Sequence, residues 1–376
     1  MRMGLVAGEA SGDLLASLLL AALKRRWSAL QAAGIGGPMM AAQGFEAWWP
    51  SDKLAVRGYV EVLRHYREIA GIRRALCDRL LAQRPQVFIG VDAPDFNLGL
   101  EQRLRTAGLR TVHFVCPSIW AWRGGRVKAL AAACDHVLCL FPFEPELLKA
   151  HGVAATYVGH PLADTIPLQT SRTAARAALG LDADAPLVAI LPGSRRSEIA
   201  YNGAVFLQAA VRMHSRRPEL RFVLPLAPGL RALVEPLVAA HAPALPLVLV
   251  DGQSHEALSA CNVTLIASGT ATLEAALLRR PMVIGYRIHP LTYVLMKRMA
   301  YQPWVGLPNI LCRDFVVPEL LQADCTPAAL AEATLAWLTQ PQRVQALQQR
   351  FEDLHHQLRQ DTAQRATDAI AQVVGA

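Results

Sequence analysis

The 376-residue sequence has no long apolar run, no paired-cysteine motif and no nucleic-acid-binding motif. Hydrophobic residues make up 53% of the chain, yet no run approaches the roughly 18 apolar residues that a membrane-spanning helix needs. The longest candidate run, 14–23, ends at Lys24. Glu9 and Asp13 interrupt the apolar segment that a signal peptide would require. We therefore expect a protein that is neither exported nor membrane-spanning.

The seven cysteines are scattered and odd in number, which is typical of a protein from the reducing cytosol. No cluster of cysteine and histidine indicates a metal site, so we predict no metal and no cofactor. The absence of a glycine and aromatic RNA-binding motif, and of a long basic tract, argues against nucleic acid. The formal net charge of +8 instead favours nucleotides, phosphorylated substrates or anionic lipid as partners.

Short apolar strands alternate with helical patterns along the chain. This alternation predicts parallel sheets that are covered by helices on both faces. The predicted strands are 5–7, 86–91, 111–115, 136–140 and 156–158 in the first half, and 187–191, 221–226, 247–250, 263–267 and 282–285 in the second.

The segment 159–167 is rich in helix breakers and separates the two halves. We predict an α/β protein with two doubly wound, Rossmann-like domains, 1–165 and 166–344. A C-terminal helix at about 345–376 is expected to pack back onto the first domain. Two facing domains of this type leave a cleft at the carboxyl ends of their strands, where ligands bind.

Two loops in the second half join a strand to a helix through small residues. In the first, an apolar strand leads into Ser268, Gly269 and Thr270, where backbone N–H groups and a helix dipole favour phosphate oxygens. Glu274, four residues after Thr270, shares a helical face with this turn and could bind a ribose diol. Ordinary α/β packing explains the same pattern equally well.

The second loop contains Gly193, Ser194 and Arg195. Small residues allow a ligand to approach the backbone, and an arginine fork suits diphosphate oxygens. An arginine pair is more often a solvated surface. Because both loops occur in one predicted domain, together they favour one shared phosphate-bearing ligand.

Carboxylates and aromatic residues follow strand ends in the first half. Asp92 and Asp95 come directly after a predicted strand, so either could act as a base, although Asp95 could simply cap a helix. The loop after the first strand carries acids that would repel phosphate, so a sugar or polar acceptor is favoured there. Further candidates for contact with this acceptor are Glu9, Ser11, Asp13, Ser118, Trp120, Arg123 and His160, of which the tryptophan and the histidine could equally be structural.

The segment 57–74 is basic, amphipathic and aromatic. This pattern is typical of a helix that lies in an anionic membrane interface. A helix that packs on the sheet and exposes its arginines to water explains the pattern equally well. The residues expected at a membrane are Arg57, Val60, Val62, Leu63, Arg64, Tyr66, Arg67 and Ile69.

Nine phrases in order along the whole chain together carry a resemblance to a known family. They are GEASGD (8–13), AVRGYVEVL (55–63), GVDAPDFN (90–97), PSIWAWR (117–123), GHPLAD (159–164), LPGSRRSE (191–198), ASGTATLE (267–274), GYRIHPLTY (285–293) and LPNIL (307–311). The ordered set resembles the lipid-A-disaccharide synthase family of bacterial inverting glycosyltransferases.

The resemblance implies a GT-B fold, with the sugar nucleotide in the C-terminal domain and the acceptor facing the N-terminal one. It implies transfer of 2,3-diacylglucosamine from its UDP derivative to the 6-hydroxyl of 2,3-diacylglucosamine 1-phosphate (lipid X), giving a β-1,6-linked disaccharide and UDP. Asp92 then matches the general base, and no metal is required. The residues expected at UDP are Gly193, Ser194, Arg195, Ser268, Gly269, Thr270, Tyr286 and Asn309, with Glu274 at the ribose.

Both substrates of this family carry acyl chains, so the resemblance favours the interfacial interpretation of 57–74. It implies a peripheral protein on the cytoplasmic face of the inner membrane of a Gram-negative bacterium. The alternatives are another GT-B UDP-aminosugar transferase, a UDP-GlcNAc epimerase-like enzyme and a non-catalytic lipid-binding protein at the membrane surface. The family pattern differs at Cys116, before Pro117, and at Gly124 and Gly125, which could alter loop stiffness.

Overall fold

The structure is a computed structural model that describes residues 1–8, 10–54, 59–121, 124–299 and 301–375, with the backbone alone for residue 10 and residues 59–66. The chain divides into two compact units. Unit 1 comprises Met1–Asp164 and Gln357–Ala376, and unit 2 comprises Thr165–His356.

Unit 1 contains a seven-stranded parallel sheet in the order β3-β2-β1-β4-β5-β6-β7. Its strands are β1 (Arg2–Ala7), β2 (Gln31–Gly36), β3 (Glu46–Pro50), β4 (Val87–Val91), β5 (Arg110–Phe114), β6 (His136–Cys139) and β7 (Ala155–Tyr157). The helices of the first 165 residues are α1 (Ala10–Arg26), α2 (Pro38–Ala42), α3 (Tyr59–Gln83), α4 (Pro94–Thr106), α5 (Arg126–Ala133), α6 (Glu144–Lys149) and α7 (Pro161–Thr165), with a 3₁₀ turn at Ser51–Leu54.

Unit 2 contains a six-stranded parallel sheet in the order β10-β9-β8-β11-β12-β13. Its strands are β8 (Leu187–Leu191), β9 (Arg221–Leu226), β10 (Leu247–Asp251), β11 (Val263–Ile266), β12 (Met282–Tyr286) and β13 (Glu319–Leu321). The remaining helices are α8 (Arg172–Ala178), α9 (Arg196–Arg216), α10 (Arg231–His241), α11 (Ser254–Ala260), α12 (Thr270–Leu277), α13 (Pro290–Met299), α14 (Leu307–Cys312), α15 (Pro327–Thr339), α16 (Pro341–Leu358) and α17 (Thr362–Val374).

Central strands are apolar on both faces because helices cover both sides of each sheet. All five residues of β4 and all five of β8 are buried. The predicted α/β fold with two parallel sheets is thus confirmed, and each of the ten predicted strands is present. Three further strands, β2, β3 and β13, were not predicted.

The C-terminal helix α17 packs on α1 within unit 1. Its start is fixed by Asp164, whose carboxylate accepts N–H hydrogen bonds from Gln360, Asp361 and Thr362 at 3.1, 3.0 and 2.7 Å. A carboxylate at a helix N-terminus satisfies free backbone donors and complements the helix dipole. The second segment of unit 1 begins at Gln357, close to the end of α16, and α17 belongs to it. Among the described residues, no helix combines the length and apolar character that crossing a membrane requires.

Candidate functional site

In unit 2, the loops after β8 and β11 lie at the same edge of the sheet. The two strands are parallel neighbours, and helices α9 and α12 begin directly after the loops, at Arg196 and Thr270. Two helix N-termini at the carboxyl edge of a parallel sheet form a typical site for an anionic ligand. The structure therefore brings the two loops singled out from the sequence together.

The start of α12 is open to solvent. Gly269 has a φ of +144°, a conformation that favours glycine, and no atom lies within 4 Å of the position that a Cβ would take there. Gly269 and Thr270 are exposed, and the Ser268 hydroxyl donates to the Val305 carbonyl at 3.3 Å. One turn into the helix, the Glu274 side chain is 19% exposed. This arrangement leaves room for a phosphate at the turn and a polar partner near Glu274.

The start of α9 already holds a carboxylate, that of Glu198. The backbone N–H groups of Ser194 and Arg195 donate to Glu198 Oε2 at 2.9 and 3.2 Å, and Arg195 Nη1 donates to Oε1 at 2.9 Å. Gly193 has a φ of +132°, and a Cβ there would lie 2.3 Å from the Cβ of Glu198. Only glycine fits this turn, and the half-exposed Arg195 guanidinium is held beside it.

Tyr286 lies near the same charges, at the end of β12. Burial raises the pKa of Tyr286, the Glu198 carboxylate raises it further, and Arg195 opposes both effects. Asn202 links α9 to the residue after β12. Its Oδ1 accepts from Arg287 N at 2.8 Å, and its Nδ2 donates to the Glu198 carbonyl at 2.9 Å. The first turn of α9 is thereby tied to the end of β12.

Asn309 is buried, and its amide is used inside the unit. Its Nδ2 donates to Val317 O at 2.9 Å and to Glu319 Oε1 at 2.8 Å, and its Oδ1 accepts from Val317 N at 3.0 Å. Glu319 in turn accepts from the N–H groups of Val305 and Gly306. The Asn309 side chain therefore holds the loop that accepts the Ser268 hydroxyl, and the expected place of Asn309 at the diphosphate stays a prediction.

His255, at the start of α11, contacts Glu274. Its Nδ1 lies 3.6 Å from Glu274 Oε1, and this carboxylate raises the pKa of His255. This pair could not be predicted from the sequence, because nineteen positions and one strand separate the two residues. The titratable His255 therefore lies beside Glu274, the residue that is expected to bind the ribose.

We predict that Glu274→Gln lowers the pKa of His255, because it removes the negative charge that favours the imidazolium. Since the folded-state pKa is raised, the contribution of the pair to stability is complete below about pH 6.5 and disappears as pH rises through the folded value. NMR titration of the histidine ring protons measures the shift. His136, whose pKa burial lowers, serves as the internal control and should not move. An unchanged His255 pKa would contradict the assignment.

In unit 1, Asp92 is partly exposed at the carboxyl end of the buried strand β4. Asp92 and Ala93 have φ values of +51° and +45°, a left-handed conformation that is uncommon for residues other than glycine. The turn is held from both sides, because Asp92 N donates to Phe114 O at 2.8 Å and Asn97 Nδ2 donates to Asp92 O at 2.8 Å. Strain of this kind at a strand end is typical of residues whose orientation matters for function.

A fully buried pair, His113 and Glu101, lies behind this turn. His113 Nδ1 is 2.8 Å from Glu101 Oε1, and both side chains are 0% exposed. Burial lowers the pKa of His113, but the charge and hydrogen bond of Glu101, together with the charge of Asp92, outweigh burial and raise it. The pair was not singled out from the sequence, and His113 lies within electrostatic reach of Asp92.

Asp13 has a structural role that the sequence did not indicate. Its buried carboxylate accepts from the N–H groups of Gly37, Met39 and Met40 at 3.0, 2.9 and 3.0 Å. These groups begin α2, so Asp13 caps that helix. The expectation that Asp13 faces an acceptor is therefore wrong, because both of its oxygens are used inside the fold.

Asp95 is 83% exposed in the first turn of α4 and forms an ion pair with Arg126. It does not cap the helix through its side chain. Ser11, near the start of α1, and Ser118, after β5, are exposed at the same edge as Asp92.

Two further acceptor candidates, Glu9 and Arg123, lie outside the described residues. Their predicted contacts with an acceptor stay predictions.

Trp120, after β5, and His160, after β7, belong to an aromatic cluster with Phe141 and Phe143, which follow β6. Trp120 donates through Nε1 to Glu144 Oε1 at 2.9 Å and meets the rings of Phe141 and Phe143 edge to face. His160 is 6% exposed, and burial lowers its pKa to about 4, so its ring is neutral near pH 7. His160 is therefore a packing residue rather than a contact for substrate, whereas Trp120 is partly exposed.

The residues Cys116, Cys139 and Glu144 place three potential metal-ligand atoms within 4.8 Å of one another. Both carboxylate oxygens of Glu144 already accept hydrogen bonds, from Trp120 and from the backbone of Phe141. Burial raises the pKa of Glu144 to about 8, and the hydrogen bond with Cys116, followed by burial, raises that of Cys139. The Glu144 carboxylate is thus engaged by donors from within unit 1.

The predicted membrane segment is described only in part. Arg57 and the side chains of Val60, Val62, Leu63, Arg64 and Tyr66 lie outside the described residues. Arg67 is exposed, but Ile69 is partly buried and packs against the core beneath α3. Ile69 is therefore corrected to a core contact.

The comparisons with known proteins agree along the whole chain. The family model described as lipid-A-disaccharide synthetase matches residues 3–374. A lipid-A-disaccharide synthase from Verminephrobacter eiseniae is 57% identical over 379 residues, which cover 100% of this chain and 97% of the relative. One from Burkholderia mallei is 57% identical over 376 residues, with the same coverage.

Solved structures of low identity share the fold. UDP-GlcNAc 2-epimerase from Neisseria meningitidis, bound to UDP-GlcNAc, has a TM-score of 0.64 at 11% identity and covers 100% of this chain and 99% of its own. The glycotransferase of kitacinnamycin has a TM-score of 0.64 at 16% identity, over 99% and 98% of the two chains. At such identities the likeness concerns the fold alone. The sequence matches decide the family: the chain belongs to the lipid-A-disaccharide synthases, which are glycosyltransferases.

Proposed function

We propose that the protein transfers 2,3-diacylglucosamine from UDP-2,3-diacylglucosamine to the 6-hydroxyl of 2,3-diacylglucosamine 1-phosphate, with inversion at the anomeric carbon. The observation that carries this proposal is the pair of helix N-termini at the ends of β8 and β11, with Arg195 beside them. Backbone N–H groups, two helix dipoles and a guanidinium suit a diphosphate. Membership of the family supports the choice of sugar and acceptor in this proposal.

The donor is bound by unit 2 in this proposal. Gly269 and Thr270 offer exposed backbone at the start of α12, and Arg195 contacts the diphosphate. Glu274 accepts hydrogen bonds from the ribose hydroxyls, and Tyr286 lies beside the charged groups. Negative charge grows on the β-phosphate as the anomeric C–O bond breaks, so preorganised donors stabilise the transition state more than the ground state.

Asp92 acts as the general base. Its carboxylate removes the proton of the acceptor 6-hydroxyl while that oxygen forms the new bond to the anomeric carbon, and the electron pair of the breaking bond leaves with UDP. One displacement of this kind inverts the anomeric centre and requires a single base. Behind the site, the charge of Asp92 adds to the charge and hydrogen bond of Glu101 in raising the pKa of the buried His113.

We also propose that the protein acts on the cytoplasmic face of the inner membrane, where both acylated substrates are anchored. Segment 57–74 supplies one contact, because it combines arginines with apolar and aromatic residues.

We predict that replacing Val60, Leu63 and Tyr66 together by Ser shifts the protein from the membrane fraction to the soluble fraction, since apolar side chains bind the interface in proportion to their buried area. Sedimentation with inner-membrane vesicles measures the shift. The matched control, Met39→Ser, removes an exposed apolar side chain of unit 1 outside segment 57–74 and should not change partitioning. Unchanged partitioning of the first variant would place the interface elsewhere.

A transfer assay with acylated and unacylated UDP-glucosamine donors tests the reaction itself. We expect a disaccharide 1-phosphate and UDP from the acylated donor when the acceptor is present. Release of UDP without acceptor, or formation of an epimerised nucleotide sugar, would instead favour an epimerase-like reaction.

A further inference from the structure

Helix α13 in unit 2 has no buried residue. Its side chains Leu291, Val294, Leu295 and Met296 are 76, 47, 52 and 38% exposed. Among the described residues of the whole chain, eleven large hydrophobic side chains are exposed, and seven of these lie in 291–315. Single exposed apolar residues are normal on a protein surface, but a concentration of them marks a contact surface.

The apolar residues of α13 form a stripe. Leu291, Val294, Leu295 and Arg298 occupy positions i, i+3, i+4 and i+7, which lie on one face of a helix. Lys297 and Arg298 are exposed in the last turn. We call the stripe of Leu291, Val294, Leu295 and Arg298, together with the adjacent Lys297, the α13 surface.

The segment that contains α13 is basic in sequence. The sequence contains no Asp or Glu between Glu274 and Asp314, whereas it has six Lys or Arg residues in that interval. Asp314 itself is paired with Arg350 at 2.8 Å. A basic, acid-free helix with an exposed apolar stripe is complementary to an anionic lipid surface.

Aromatic residues follow the helix. Tyr301 is 66% exposed and Phe315 is 56% exposed, and the Phe315 ring meets Trp304 edge to face at 6.2 Å. Tyrosine and tryptophan are enriched where an apolar environment meets water, because one end of each side chain is polar. The segment after α13, like the helix itself, therefore exposes side chains that favour a boundary between lipid and water.

We propose that the α13 surface lies in the interface of an anionic phospholipid bilayer, so that unit 2 binds the membrane by a contact of its own. This inference is separate from segment 57–74, which belongs to unit 1, and does not depend on glycosyl transfer. Charge decides between a bilayer and a second copy of the chain. A second copy of the chain also carries a net charge of +8, so the two copies repel each other at the last turn of α13, which holds Lys297 and Arg298. Anionic lipid instead attracts these two side chains.

A fluorescent probe localises the contact. Leu291→Cys in a Cys312→Ser background is labelled with an environment-sensitive fluorophore and mixed with vesicles of phosphatidylglycerol and phosphatidylcholine. We expect a blue shift, because the probe leaves water on binding. Val211→Cys in the same background is the control, since Val211 is exposed on α9 of the same unit, and its probe should remain in water. Equal spectra at the two positions would overturn the proposal, as would a blue shift that requires no vesicles and grows with protein concentration.

Flotation of the full chain with the same vesicles tests the side chains. We expect Val294→Ser with Leu295→Ser to lower the partition coefficient about tenfold, because two apolar side chains no longer enter the interface. The matched control, Val211→Ser with Val248→Ser, should bind as the unmodified protein does. Lys297→Gln with Arg298→Gln should weaken binding to phosphatidylglycerol vesicles and leave binding to pure phosphatidylcholine unchanged.

Affinity for UDP separates this proposal from the proposed reaction. It should be the same in all of these variants, because none of the changed residues belongs to the two loops at β8 and β11. Vesicle binding that is unaffected by the α13 changes would overturn the proposal even if glycosyl transfer is established.

Discussion

Asp92→Asn is expected to lower kcat for glycosyl transfer by about a thousandfold, since a positioned general base contributes roughly 10²- to 10⁴-fold. Asparagine is nearly isosteric with aspartate but cannot take a proton. The turn should persist, because it is held through the backbone of Asp92, by Phe114 and by the Asn97 amide. Affinity for UDP should be unchanged, since the UDP groups belong to unit 2.

Steady-state kinetics with both acylated substrates, together with calorimetric titration of UDP, measures the two effects. Asp368→Asn is a suitable control, because this half-exposed carboxylate of α17 lies at the surface of unit 1, where Arg26 and Gln364 donate to it. Full activity in Asp92→Asn would remove this residue as the base.

The second large effect is expected for Arg195→Ala, which should reduce kcat about a hundredfold and weaken UDP binding. The loss in kcat follows because the guanidinium stabilises charge that grows on the leaving diphosphate. Folding should be little affected, since the Arg195 side chain is 51% exposed. Arg195→Lys should restore only part of the activity, because an ammonium group cannot reproduce the planar fork.

Arg196 provides the matched control for this prediction. It is the next residue in the chain, is exposed and begins α9. Arg196→Ala should retain most of the affinity and turnover. If Arg195→Ala bound UDP as tightly as the unmodified protein, the assigned contact with the diphosphate would be wrong.

The strands that could be predicted were those with continuous apolar sequence, such as β4 and β8. The strand β2 (QAAGIG) consists largely of small residues, and β3 (EAWWP) combines a carboxylate, two tryptophans and a proline, so neither has the β-branched pattern of a buried strand. The strand β13 has only three residues. Their pairing with neighbouring strands, rather than local propensity, determines their conformation.

The loops of the site could be predicted because a strand end, small residues and a helix start are adjacent in sequence. The partners of individual side chains could not. Asn202 contacts Arg287 across 85 positions, and Asp13 caps a helix that begins 25 residues later. The spacing of Leu291, Val294 and Leu295 is equally typical of a helix that packs on a core, so exposure of α13 became evident only from the structure.

The position of Glu198 has a consequence for the selection of ligands. In the structure its carboxylate satisfies the N–H groups of Ser194 and Arg195 and one arm of the guanidinium. A phosphate that uses these donors must replace one anion by another, so its affinity reflects the difference between two competing acceptors. A singly charged anion gains little from this exchange, whereas a diphosphate offers more charge and more oxygens. If the loop binds a diphosphate as proposed, Glu198 is the internal competitor that this ligand displaces.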